Sequence, residues 1–147
     1  MAQLVTEYVF DAGIDQVFDG IRQYDKYPDY IQGVTGIKVL PPKASGSTCQ
    51  VRYELKLIKS FHYTLDMFEE RPGRIYWHLA ESNIMKKSDG SWDFASAGKA
   101  KTKATYTLDV VFSGLVPQKI VDQVTKANLP LLMSGMAKLV RDTMGDA

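Results

Sequence analysis

A two-residue alternation of apolar and polar side chains runs through the middle of the chain and constrains its fold more than any other feature. In "TCQVRYELKLI", residues 48–58, Val51, Tyr53 and Leu55 fall on one face, whereas Arg52 and Glu54 fall on the other. This period of two is typical of a β-strand with one buried face. Because similar runs follow one another across short turns, they predict an antiparallel sheet.

The pattern predicts about seven strands in all. Further alternating or strand-like runs occupy residues 3–11, 33–42, 61–68, 74–81, 91–96 and 101–112. Predicted turns lie at "RPG" (71–73), "KKSDGS" (86–91) and "ASAGK" (95–99). A three-residue loop at "RPG" would place Met67 opposite Trp77 on the inner face and Asp66 opposite His78 on the outer face.

Two short helices are predicted directly after the first strand. Ile14, Val17 and Ile21 recur at helical spacing within residues 14–31, and Asp11 or Asp15 is a candidate N-cap. Pro28 is expected to begin or restart the second helix, because proline is favoured at the first helical position.

The last predicted element is one long helix over residues 116–142, with Pro130 and then Gly135 inside it. Two apolar stripes flank the proline and are offset by about a quarter turn: Val116, Ile120, Val124 and Leu131 before it, and Leu132, Met136, Leu139 and Val140 after it. A kink at Pro130, eased by Gly135, would direct both stripes toward the sheet. Since no other element is long enough to cover the sheet, we expect an α+β fold.

The composition excludes several classes of protein. The 147 residues include 18 Lys plus Arg and 17 Asp plus Glu, so no charge excess favours DNA or an anionic membrane. The single Cys49 rules out an intrachain disulfide and a cysteine zinc site. With no leader and no membrane-spanning run visible, residues 1–147 are expected to form one cytoplasmic domain without cofactor or metal.

Three segments resemble the polyketide cyclase/dehydrase family of the steroidogenic acute regulatory protein-related lipid transfer (START-like, SRPBCC) superfamily. They are "YDKYPDYIQGVTGIKVL", "RIYWHLAESNIMKKSDGSWDF" and "VPQKIVDQVTKANLPLLMSGMAKLVRD". The resemblance spans nearly the whole chain and is nearest to the branch of coenzyme Q-binding proteins and the ribosome-association toxin. It implies a helix-grip fold, in which a curved antiparallel sheet wraps around a long C-terminal helix and encloses an apolar cavity.

The inward-facing aromatic residues are open to two interpretations. They are either an ordinary packed core or the wall of a hollow, and the family resemblance favours the hollow. The residues expected to line it are Tyr53, Tyr63, Met67, Trp77, Trp92, Phe94, Tyr106, Leu108, Asn128, Leu131, Leu132 and Met136.

No catalytic residue can be named from the sequence. His62 and His78 have the parity of the outer face, and no inward carboxylate pair is evident for acid–base chemistry. The expected function is therefore non-enzymatic binding, with transport or presentation, of a hydrophobic small molecule such as a quinone, lipid or polyketide-like compound. A polyketide cyclase/aromatase is the first alternative.

A ribosome- or protein-docking module is the second alternative. It would use a basic patch at one end of the sheet, formed by Lys86, Lys87, Lys99, Lys101 and Lys103. The near-zero net charge, +1, weighs against a general nucleic-acid surface.

Overall fold

The computed structural model describes residues 2–56, 60–123, 125 and 129–145. Seven antiparallel strands form one curved sheet in the order β1-β7-β6-β5-β4-β3-β2. They are β1 (Ala2–Phe10), β2 (Val34–Leu40), β3 (Cys49–Lys56), β4 (Ser60–Glu70), β5 (Arg74–Ser82), β6 (Met85–Ser96) and β7 (Thr102–Phe112). The predicted α+β helix-grip architecture with about seven strands is confirmed.

The predicted hairpin at "RPG" is confirmed. Glu70 pairs with Arg74, Met67 with Trp77 and Asp66 with His78, while Met67 and Trp77 are buried and His78 is exposed. The strand alternation therefore fixes both the register and the face of each side chain here, because a shift of one residue would turn the apolar set outward.

The predicted turn at "KKSDGS" is wrong, because these residues lie inside the continuous strand β6. Gly90 explains the misleading pattern. A Cβ at this position would lie 2.2 Å from Cζ2 of Trp77, so the glycine permits close packing of the indole against the strand. In a strand, glycine can mark close packing as well as a turn.

Two short helices follow β1 as predicted, but their ends differ from the expectation. Helix α1 (Ile14–Ile21) is capped at Gly13, whose N–H donates to Oε1 of Gln16 at 2.9 Å, and neither Asp11 nor Asp15 is the N-cap. The second is a 3₁₀ helix, Tyr24–Asp29, and Pro28 lies inside it rather than at its start.

The C-terminal region contains helix α2 (Gln118–Asp122) and helix α3 (Leu129–Gly145). Pro130 lies in the described part of α3 and has no backbone N–H to donate. The predicted kink involves residues 124 and 126–128, which lie outside the described residues.

Close backbone packing holds α3 against the first helices. A Cβ on Gly135 would lie 2.4 Å from the carbonyl oxygen of Tyr30, and a Cβ on Gly20 would lie 2.8 Å from Cα of Val140. Gly135 therefore lets α3 approach the chain after the 3₁₀ helix, which is a different role from the predicted easing of a kink. The Tyr30 hydroxyl adds a hydrogen bond to Oδ2 of Asp142 at 2.7 Å.

Candidate ligand-binding cavity

A cavity of about 160 Å³ lies between the concave face of the sheet and α3. Strands β3 to β7 supply most of its wall, and the rest comes from the 3₁₀ helix, the segment before β2, α3 and the residues between α2 and α3. An apolar cavity of roughly 150 Å³ holds benzene. The volume therefore suits a ligand built on about one aromatic ring.

The structure places ten of the twelve predicted residues around this cavity. They are Tyr53, Tyr63, Met67, Trp77, Trp92, Tyr106, Leu108, Leu131, Leu132 and Met136. Phe94 lies elsewhere, because α1 covers the sheet at this level and the Phe94 ring meets Phe18 at a centroid distance of 6.4 Å. Asn128 lies outside the described residues.

Cross-strand pairing brings the aromatic side chains of the wall together. Tyr53 on β3 opposes Tyr63 on β4, and their rings stack at a centroid distance of 4.7 Å. Trp92 on β6 opposes Tyr106 on β7 at 4.7 Å, and Trp77 is 6.0 Å from the same tyrosine. Directly opposed aromatic residues stabilise a sheet, so these pairs also hold the wall in shape.

Three of these tyrosine hydroxyls have no hydrogen-bond partner among the residues that the structure describes: those of Tyr53, Tyr63 and Tyr106. Two neighbouring tyrosines differ. Tyr27 donates to the Ile21 carbonyl at 2.6 Å, and Tyr24, away from the cavity wall, donates to Oε2 of Glu69 at 2.7 Å. Among the described residues, none of these three oxygens is a fully buried atom without a partner, so the hydroxyls face the open space of the cavity, where water or a ligand can accept their hydrogen bonds.

The buried tyrosines keep their protons at neutral pH. Burial raises the pKa of Tyr63, and the nearby Tyr106 raises it further by electrostatic repulsion between the two phenolates. Burial also raises the pKa of Tyr53 and Tyr106 well above the usual value. At the cavity wall these hydroxyls are therefore neutral hydrogen-bond donors and are poor general bases.

The described lining contains no charged side chain. Its other polar groups are neutral and include Ser88, Thr125 and Gln123, and Oε1 of Gln123 is buried without a partner. Thr125 donates to the Val121 carbonyl at 2.7 Å. Because an isolated buried charge is costly, this wall favours an uncharged occupant.

The cavity opens beside the first turn of α3. Leu131 lines the cavity yet is 46% exposed, and Gln32 across the opening is also exposed. Gly33, next to Gln32, has a φ of 93°, a left-handed conformation that favours glycine. Residues 31–34 and the start of α3 thus form the rim.

Comparison with protein families identifies the chain by sequence. The sequence model of the family described as polyketide cyclase / dehydrase and lipid transport matches residues 11–137. The chain belongs to this family. No curated protein matches it.

Solved structures similar to this polyketide cyclase/dehydrase family member share its fold. A START superfamily protein from Mycobacterium smegmatis is 17% identical with a TM-score of 0.79, covering 95% of this chain and 97% of its own. The Zhui aromatase/cyclase from Streptomyces sp. R1128 is 13% identical with a TM-score of 0.82, and the coverage is 97% and 95%. At such low identity, the likeness concerns the fold alone.

Some site residues of this family member were not predicted from the sequence. Gln123 lies in a helical stretch whose pattern indicates only its apolar stripes, and residues 31–34 follow a short helix with no periodic pattern. The inward-facing carboxylate of Glu69, which lies outside the cavity lining, was also not predicted. It forms an ion pair with Arg22 at 2.9 Å and accepts a hydrogen bond from the Tyr24 hydroxyl. Continuing the inner parity of Met67 by two residues would have found it.

The histidines face outward as predicted, but the partner of His78 differs from the expected Asp66. Nδ1 of His78 lies 2.8 Å from Oδ1 of Asp89 on β6, while Asp66 accepts a hydrogen bond from Gln50. Cross-strand register places Asp66 beside His78, but the imidazole contacts Asp89 on the neighbouring strand at its other side.

No group of three or more His, Cys, Asp or Glu residues that could hold a metal ion exists in the described chain.

The five lysines proposed as a basic patch do not form one cluster. Lys86 and Lys87 lie at the start of β6, whereas Lys99, Lys101 and Lys103 lie at or near the β6–β7 turn, roughly 30 Å away along the strand. Three of them are already paired with carboxylates: Lys87 with Asp109, Lys101 with Asp11 and Lys103 with Glu7.

Among the described residues, no helix has the length and apolar character needed to cross a membrane.

Proposed function

We propose that residues 1–147 form a single START-like domain that binds a hydrophobic small molecule between the sheet and α3. A quinone, a lipid or a polyketide-like compound fits this class, and the coenzyme Q-binding-like branch remains part of the proposal. The observation that carries it is an apolar cavity with three tyrosine hydroxyls that find no partner among the described residues. A packed core would leave neither space nor unpaired donors.

Binding fits the cavity better than catalysis. Acid–base chemistry on a bound ligand needs a group that can exchange a proton near neutral pH. The described lining offers no histidine, carboxylate, lysine or arginine, and the pKa values of its tyrosines are raised. The domain is accordingly proposed to carry or present its ligand unchanged.

Two other functions have weaker support. A polyketide cyclase/aromatase is supported by the family description and by the fold of the Zhui aromatase/cyclase, without a candidate acid or base in the described wall. Docking to a ribosome or an acidic protein would need a basic patch. The five lysines expected to form it are separated, and three of them are paired with carboxylates.

The size of the cavity limits the ligand. Typical ligand pockets measure about 300–1,000 Å³, whereas this one measures about 160 Å³. A long-chain lipid or quinone tail would therefore extend through the rim or displace the first turn of α3. A small ring compound would fit without either change.

Native mass spectrometry of protein purified from its own host tests the proposal. We expect a bound compound of low mass that is released by organic solvent and lost in the Leu132→Arg variant, whose charge would lie at the cavity wall. Val5→Arg is the matched control, because Val5 is 64% exposed on β1. A folded wild-type protein that retains no compound and binds no quinone, lipid or polyphenol would contradict the proposal.

A further inference from the structure

We propose that the cavity selects small uncharged ligands whose carbonyl oxygen accepts hydrogen bonds from hydroxyls of the set Tyr53, Tyr63 and Tyr106, and that it rejects ionised lipids such as fatty acid anions. This inference rests on the proposed binding function and narrows its ligand class.

The three tyrosines provide the acceptor preference. They lie on β3, β4 and β7 and line one cavity, and no described residue accepts a hydrogen bond from any of their hydroxyls. The rings of Tyr53 and Tyr63 stack at a centroid distance of 4.7 Å, and Tyr106 lines the same cavity. A ligand carbonyl that displaces water from the cavity would accept hydrogen bonds from these donors directly.

The absence of charge in the described wall provides the selectivity against ions. A carboxylate transferred into this cavity would lose its hydration and meet no lysine or arginine. Neutral hydroxyls can solvate an anion only in part, so burial without a countercharge remains unfavourable. An uncharged carbonyl pays a much smaller desolvation cost and can use the same donors.

Gln123 extends the polar edge of the cavity. It lies between α2 and α3 and lines the cavity, and its buried Oε1 has no donor among the described residues. A ligand with a hydroxyl group as well as a carbonyl would pair with this amide in addition to the tyrosines. The amide is also uncharged, so it maintains the same exclusion of ions.

Three probes of similar size separate these effects: ethylbenzene, acetophenone and benzoate. Their binding can be followed at pH 7 by NMR shifts of the Met67 and Met136 methyl groups, which line the cavity. We expect ethylbenzene and acetophenone to bind and benzoate to bind at least tenfold more weakly than acetophenone. Tyr63→Phe and Tyr106→Phe should each weaken acetophenone binding about two- to tenfold, the usual worth of one hydrogen bond, and should not weaken ethylbenzene binding.

Tyr76→Phe is the matched control, because Tyr76 lies on the outer face, stacked on Phe68, and should weaken neither probe. Benzoate binding as tight as that of acetophenone would overturn the exclusion of anions. Ethylbenzene binding with acetophenone unaffected by both cavity substitutions would overturn the role of the hydroxyls and leave the proposed function standing. Failure of all three probes to bind would overturn the inference together with the proposed cavity function.

Discussion

Removing a tyrosine hydroxyl should change the free energy of unfolding with opposite sign at different positions. Tyr24 and Tyr27 donate to protein acceptors, whereas Tyr63 and Tyr106 have no partner among the described residues. Phenylalanine keeps the ring in all four cases, so the substitution isolates the hydroxyl. We expect Tyr24→Phe and Tyr27→Phe to destabilise the protein and Tyr63→Phe and Tyr106→Phe to stabilise it or leave it unchanged.

The magnitudes follow from the partners. The Tyr24 hydroxyl lies 2.7 Å from Oε2 of Glu69, a carboxylate that is largely buried, and a hydrogen bond to a charged group contributes about 1.5–3 kcal/mol. The 2.6 Å bond from Tyr27 to a backbone carbonyl contributes about 0.5–1.5 kcal/mol. Loss of an unpaired hydroxyl recovers at most its desolvation cost, about 1–3 kcal/mol, and less where cavity water accepts its hydrogen bond.

Urea unfolding followed by circular dichroism measures all four variants on one scale. A change in the midpoint at constant slope reports a change in stability, and a changed slope would reveal altered compactness instead. The reasoning fails if Tyr63→Phe and Tyr106→Phe destabilise the protein as much as Tyr24→Phe, because their hydroxyls would then have protein partners.

Three further predictions concern packing and pH. Gly90→Ala should destabilise the protein by about 1–3 kcal/mol in urea unfolding and shift the emission of Trp77, because the new Cβ meets the indole. Gly135→Ala should lower the urea midpoint similarly, because the new Cβ would clash with the Tyr30 carbonyl. Five tyrosines have raised pKa values in the folded protein: Tyr24, Tyr27, Tyr53, Tyr63 and Tyr106. Their contribution to stability should therefore be constant below about pH 10 and should fall as pH rises further, and urea midpoints across that range would measure it.

The sheet was predictable because its strands carry their pattern locally. In residues 48–58 and 101–112, the two-residue period identifies the strand and its buried face without knowledge of any neighbour. The "RPG" loop then fixes the register of β4 against β5. Most cavity residues follow from this parity alone, since the concave face of the sheet is also the cavity wall.

Glycine and proline were the least predictable residues, because each permits several structures and only a neighbour decides which one forms. Gly90 suggested a turn, but Trp77 requires a strand residue without a side chain at this position. Gly135 suggested a residue that eases a kink at Pro130, whereas its close approach to the Tyr30 backbone is what excludes a side chain there. In both cases the deciding partner is distant in sequence, so no local pattern carries the information.

Whether the aromatic face is a core or a cavity wall also depends on partners that the sequence does not show. Tyr24 is buried and Tyr63 is half-buried, and the sequence does not show which of the two hydroxyls has an acceptor. They differ because Glu69 accepts a bond from the first, whereas the second faces space under α3. A residue type that combines an apolar ring with one polar atom thus serves either role, and the position of a single acceptor decides between packing and recognition.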